Sequence, residues 1–278
     1  FNGWSGGGCS GTGTCVTTMT GAQSVTANFT LNTYPLTVAK TGNGTGTVSS
    51  TPAGISCGGT CSASFSSGTM VTLTATADAG CTFNGWSGGG CSGTGTCVTT
   101  MTGAQNVTAD FSLNTILLTV SKTGTGSGTV TSAPAGINCG ATCSYGYNYG
   151  TTITLTATPA TGSSFTGWSG GGCSGTGTCT TTLTNAQNVT ANFKINSYPL
   201  TVTKDGNGSG TVISAPAGIS CGANCLAYYD YGTTVTLTAT PAPGSVFAGW
   251  SGGGCSGTGT CVTTIANAQN VTATFVLQ

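Results

Sequence analysis

The chain has 278 residues, including 49 Gly and 15 Cys, with four Lys, four Asp and no Arg, Glu or His, so its net charge is zero. Binding to nucleic acid or to anionic membranes runs on clustered Lys and Arg, and no such cluster exists here. Without His, and with Asp78, Asp110, Asp205 and Asp230 at positions that do not recur, neither a hydrolytic triad nor a carboxylate pair can be assembled, and the chain reads as non-enzymatic.

The string FNGWSGGGCSGTGTCVTTMTGAQ at Phe1–Gln23 returns unchanged at Phe83–Gln105, with close variants at Phe165–Gln187 and Phe247–Gln269. Trp4, Trp86, Trp168 and Trp250 therefore recur every 82 residues. Residues 1–33 match residues 83–115 except at Ser24, Asn28 and Thr30, and read as the C-terminal part of a truncated repeat. Full repeats follow at 34–115, 116–197 and 198–278, with joints at Thr30–Tyr34, Ser112–Ile116 and Lys194–Tyr198. Joints this short predict neighbours held in fixed relation. Opening in mid-repeat implies an excerpt from a longer precursor, with its export signal upstream.

Within a repeat, Leu36–Lys40 and Gly46–Ser50 are predicted strands, and the Gly42, Gly44, Gly46 run between them reads as a hairpin turn. The turn Pro52–Ile55 leads to Cys57 and Cys61. A clean alternation follows, with Val71, Leu73 and Ala75 against Thr72, Thr74 and Thr76. Phe83–Trp86, Cys97–Met101 and Asn106–Phe111 complete the predicted strands, with Val107, Ala109 and Phe111 inward. No stretch has helical period and no apolar run is long enough to span a bilayer, so membrane insertion is not expected of this segment. The fold class is all-β, a tandem array of small disulfide-stapled antiparallel β-domains, β-sandwich-like or β-grasp-like.

Two Cys spacings recur. One pairs Cys57 with Cys61, Cys139 with Cys143 and Cys221 with Cys225; the other pairs Cys9 with Cys15, Cys91 with Cys97, Cys173 with Cys179 and Cys255 with Cys261. Four Cys per repeat allow three pairings and also match the ligand count of a zinc site. The exported character of the rest favours disulfides, and the sequence-local pairing is the expectation. Cys81 stands alone, where other repeats have Ser163 and Ser245, and is a free thiol, an intermolecular bridge or the partner of a Cys outside this excerpt. No cofactor is called for. Each Trp reads as a core ring beside a disulfide, with sugar stacking as the alternative. Tyr145, Tyr147 and Tyr149, with Tyr228, Tyr229 and Tyr231, form a candidate contact surface for glycan or protein.

The repeat pattern is LTV, GxGTV, PAGI, two Cys, GT-x-VTLTAT, F-x-GWSGGGCSGTGTC and AQNVTA-x-F. It resembles the divergent internalin-B-type B-repeats of bacterial surface and secreted proteins along essentially the whole chain. The resemblance implies export, tandem arrays and stalk, adhesive or matrix roles, and brings no catalytic residues. The composite expectation is a non-catalytic extracellular or cell-surface segment forming a stalk, filament or matrix element. Self-association between repeats or copies accompanies that reading; its alternative is an adhesin or glycan-binding array that uses the Tyr-rich loops on a host or cell-surface partner.

Overall fold

A computed structural model describes residues 1–278. It divides into two compact units, Phe1–Thr115 and Ile116–Gln278. All regular structure is strand, and no helix long and apolar enough to cross a membrane is present.

In the first unit, β1 (Gly3–Ser5) and β2 (Thr26–Asn28) belong to the leading fragment. The following repeat contains β3 (Thr33–Thr41), β4 (Gly46–Thr51), β5 (Ser62–Ser66), β6 (Met70–Ala77), β7 (Cys81–Ser87), β8 (Cys97–Thr100) and β9 (Gln105–Leu113). The odd strands form one sheet in the order β5-β3-β9-β7, and the even strands form a second in the order β4-β6-β8. Consecutive strands therefore always lie in different sheets. Between the sheets sits one core, with Leu36, Val71, Leu73, Met101, Ala109 and Phe111 fully buried. This is a seven-strand, two-sheet sandwich.

In the second unit, the first repeat contains β10 (Thr115–Thr123, starting one residue before the unit), β11 (Gly128–Ala133), β12 (Ser144–Asn148), β13 (Thr152–Pro159), β14 (Ser163–Ser169), β15 (Cys179–Thr182) and β16 (Gln187–Ile195). The next contains β17 (Ser197–Asp205), β18 (Gly210–Ala215), β19 (Leu226–Asp230), β20 (Thr234–Pro241), β21 (Ser245–Ser251), β22 (Cys261–Thr264) and β23 (Gln269–Leu277). Both repeat the same two-sheet order, each around its own core.

Two features correct the sequence reading. The first is that β3 and β4 do not form a hairpin. β3 pairs with β5 and β9, whereas β4 pairs with β6. The glycines between them let the chain cross from sheet to sheet in contact with β9. Gly44 N–H donates to the Phe111 carbonyl at 2.9 Å, and a Cβ at Gly46 would overlap the Phe111 ring. The second is that the four-stranded sheet is mixed. The first and last strands of each repeat run parallel, as Leu36–Thr41 against Gln105–Asp110, Leu118–Thr123 against Gln187–Asn192, and Leu200–Asp205 against Gln269–Thr274.

The three-stranded sheets show why period-two patterning builds this fold. In β13 the inward positions hold Ile153 and Leu155, both fully buried, while Thr152, Thr156 and Thr158 face outward and are exposed. β-branched residues suit both faces of such a strand.

Candidate functional site

The cysteines meet in sequence-local pairs, and in the full repeats each pair closes a crossover between sheets. Cys57 and Cys61 have Cα atoms 4.4 Å apart, on the passage from β4 to β5. Cys57 N–H donates to Val48 O of β4 at 2.7 Å, and Val38 N–H of β3 donates to Cys61 O at 2.8 Å, so the loop is tied to both sheets. Cys91 and Cys97, with Cα atoms 5.3 Å apart, close the passage from β7 to β8. The equivalents Cys139–Cys143, Cys173–Cys179, Cys221–Cys225 and Cys255–Cys261 lie likewise, and Cys9–Cys15 occupies the leading fragment. The cysteines converge two at a time, and no group of three Cys, Asp, Glu or His side chains could hold a metal ion. The four-thiolate alternative fails on that geometry.

The Trp rings of the three full repeats are core, and Trp4 of the leading fragment is half-buried. Trp86, Trp168 and Trp250 are each 5% exposed. The ring of Trp86 meets Phe83 edge-on at 5.0 Å, and Phe83 in turn packs 5.2 Å from Phe111. The indole N–H reaches the loop carbonyl of Gly95, Gly177 or Gly259 at 2.7 Å. A buried ring with its donor satisfied leaves no face for a sugar.

The tyrosines divide. Tyr147 and Tyr229 are 5% and 7% exposed, and their hydroxyls meet Ser132 Oγ and Ser214 Oγ at 2.7 Å. These two belong to the core, and the expected contact surface contracts accordingly. The segment is a strand, β12 or β19, not a loop, and Tyr147 and Tyr229 hold its one buried position, whereas Tyr145, two residues before Tyr147 and on the same side, stays exposed. Tyr145 and Tyr228 are exposed, and Tyr149 and Tyr231 are half-buried. The Tyr145 ring packs tilted, 4.8 Å from that of Tyr147, and lines an open recess with Pro134, Ala135, Asn148 and Thr151.

Tyr231 has a different role. In the second unit, β16 ends at Ile195 and β17 begins at Ser197, so a single residue, Asn196, separates two repeats. Asn196 N–H donates to Gly162 O at 2.8 Å, and Asn196 O accepts from Tyr231 N–H at 2.8 Å. The Tyr231 ring lies on Gly162, where a Cβ would overlap it. One linker residue is thus tied on one side to the preceding repeat and on the other to the following one. The spacing of the Tyr positions was the only sequence signal for this contact, and it did not distinguish Tyr231 from its neighbours.

Cys81 is half-buried and unpaired. Its Sγ accepts from Thr45 N–H at 3.3 Å. Ser163 and Ser245 make the same contact with Ser127 N–H and Ser209 N–H, at 3.1 and 2.9 Å. In this position the thiol stands in for a hydroxyl that caps a loop amide.

The Asp110 carboxylate accepts from Thr41 Oγ1 at 2.9 Å and from Asn84 Nδ2 at 2.8 Å. The Asn84 bond, followed by that from Thr41, holds its pKa below the usual carboxylate value. Asn84 reaches it because β7 is bulged between Phe83 and Gly85.

Comparison with known structures finds a fold like that of the Bacillus anthracis TIE protein, with a TM-score of 0.56 and 11% identity over 92% of this chain and 53% of that one. At 11% identity the likeness concerns the fold alone. The pilus adhesin SpaC of Lactobacillus rhamnosus GG aligns at 11% identity over 89% of this chain and 44% of its own, with a TM-score of 0.30 that carries no argument. The chain spans about half the length of each. Among curated proteins none matches its sequence. The model of the divergent InlB B-repeat domain matches residues 34–115, 118–197 and 198–278. Covering most of the sequence in three tandem copies, those matches establish that the chain belongs to the divergent InlB B-repeat domain family.

Proposed function

We propose that this chain is a non-catalytic spacer in an exported or cell-surface repeat protein, holding other parts at a distance as a stalk or fibre element. The observation that carries the reading is the Asn196 joint, one residue long and bonded to both repeats, with the Tyr231 ring of one repeat lying on Gly162 of the other. A spacer needs such joints because each free hinge shortens its mean reach. Seven local bridges support export, since disulfides persist in oxidising surroundings. A nearly uncharged surface, with 3% charged residues, offers little repulsion between copies and supports assembly at high density.

The test is a distance distribution between spin labels at Thr158 and Thr240, exposed positions in adjacent repeats. Cys81→Ser removes the competing thiol. A single narrow distance that broadens in Tyr231→Ala supports the spacer. A broad distribution in the parent chain would overturn it.

One observation favours a second reading, a glycan-binding array. Tyr145 has no aromatic counterpart, Ala63 and Ala227 taking its place, and its ring lies 44% exposed beside Asn148 and Thr151. Glycan-array binding that Tyr145→Ala abolishes would establish this role, and an array without hits would remove it.

A further inference from the structure

We infer that each repeat is a tension-bearing module whose first and last strands act as a shear clamp. The inference rests on the spacer reading, but it concerns the strength of single repeats, so its test is independent of how rigid the joints are.

The chain enters a repeat at the start of β3 and leaves at the end of β9. These strands are adjacent and parallel, paired from Leu36 with Gln105 to Thr41 with Asp110. In a parallel pair the start of one strand and the end of the other lie at opposite ends of the ladder. Tension between entry and exit then slides the strands along each other. All bonds of the ladder are loaded at once, and none yields before the rest. An antiparallel terminal pair would bring entry and exit together and peel bond by bond.

Three further features oppose sliding. Both terminal strands are interior, because β5 flanks β3 and β7 flanks β9. Each is therefore bonded on two sides. The ladder is also dry on its inner face, where Leu36, Val38, Val107, Ala109 and Phe111 are 0–3% exposed, so water has no access from that side to replace a broken bond. Finally, the far end is tied beyond the ladder itself. Lys40 Nζ donates to Gly46 O at 2.9 Å, and Leu113 N–H donates to Asn43 Oδ1 at 3.0 Å. The later repeats keep these ties through Lys122, Lys204, Thr125 and Asn207.

No disulfide spans the ladder, although the loop that Cys57 and Cys61 close touches it where Val38 N–H of β3 donates to Cys61 O. The bridges join residues 4 or 6 positions apart and connect neither β3 nor β9 to the other. The ladder and its flanking bonds set the yield force, and the bridges only shorten the chain released afterwards.

The experiment is single-molecule force spectroscopy on the full chain, held at its two ends. Three similar force peaks are expected, one per family repeat. Each should release roughly 240 Å, from 82 residues at ~3.6 Å less the folded span and the bridged loops. Reductant should add about 25 Å to each step and leave the peak force unchanged. The decisive comparison moves one handle to Ser209, on a Cys81→Ser background, with the other kept at Gln278. The sequence of the last repeat then changes at a single handle site, while the load falls on neighbouring ends of β17 and β23. The peak force of that repeat should drop severalfold. Equal forces in the two directions, or smooth lengthening without peaks under end-to-end pulling, would overturn the clamp. A drop in peak force on reduction would transfer the mechanical role to the bridges and overturn it equally.

Discussion

The indole N–H of Trp168 donates to the carbonyl of Gly177 at 2.7 Å, inside the loop that Cys173 and Cys179 close. A ring anchored in the core thus holds the Gly-rich crossover from β14 to β15, which has few side chains of its own to pack. Trp168→Phe keeps most of the buried ring but removes the donor, leaving a carbonyl on an exposed residue that water can reach. The expected cost is about 1 kcal/mol. Trp168→Ala removes the ring as well and should cost about 3–5 kcal/mol. Urea titrations of the two variants, read by far-ultraviolet circular dichroism, check the ranking. Equal losses would mean that the hydrogen bond and not the ring carries the position.

The crossovers also give the disulfides a defined weight. Because consecutive strands always change sheets, each repeat has arches where other antiparallel folds have hairpins, and two arches carry a bridge. Closing loops this short removes about 2 kcal/mol of denatured-state freedom per bridge. Replacing Cys57 and Cys61 together by Ala should lower the stability of that repeat by about this amount and leave the strands in place. Denaturation followed by mass-resolved hydrogen exchange of each repeat reads the effect where it occurs. Loss of protection throughout the repeat under native conditions would show that the bridge is needed for folding and not merely for stability.

Much of this architecture is legible in the residues. Val71, Leu73 and Ala75 against three Thr announce a strand, and the 82-residue period announces equivalent units. The parallel ladder is not legible, because inward alternation in Leu36–Lys40 and in Val107–Phe111 is the same whichever way the two strands run. Their pairing is also distant, with Thr41 bonded to Asp110 across 69 positions. The glycines at 42, 44 and 46 suggest a turn for a related reason. Glycine serves tight turns and close backbone approaches alike, and only the neighbouring Phe111 distinguishes them. Tyr147 is a different case. Its counterpart Phe65 has no hydroxyl and is equally buried, a sign of core that the sequence contained.

Acid should weaken the first full repeat selectively. Asp110 has a folded-state pKa below its ordinary value, from the bonds given by Asn84 and Thr41. A depressed carboxylate contributes stability that is present above the unfolded pKa and is lost as pH falls through the folded one. The next repeat has Asn192 and Thr166 in these places and lacks that dependence. Thermal melts from about pH 5 to about pH 2 should show an acid-sensitive component in the parent chain that Asp110→Asn reduces. An identical acid profile in the variant would place the sensitivity elsewhere.

Gly68 and Gly46 are needed for different reasons. Gly68 has φ of +82° and open space where a Cβ would stand. Gly68→Ala therefore meets only the backbone penalty of the left-handed region, about 1–2 kcal/mol. Gly46 has an ordinary φ, so alanine costs nothing in backbone conformation there. Its Cβ would nevertheless overlap the Phe111 ring, which is fully buried at the centre of the sandwich and cannot retreat without opening the core. Gly46→Ala should thus be the more damaging change, by at least the ~1–3 kcal/mol of a forced overpacking. Gly46→Ala combined with Phe111→Leu should recover part of that loss, because the smaller side chain vacates the ring's share of the overlap while the approach to the Thr76 carbonyl remains. Chemical denaturation of the three variants decides the matter. If Gly68→Ala proved the worse of the two single changes, the crossing would be a flexible turn, and contact with β9 would not be what requires glycine there.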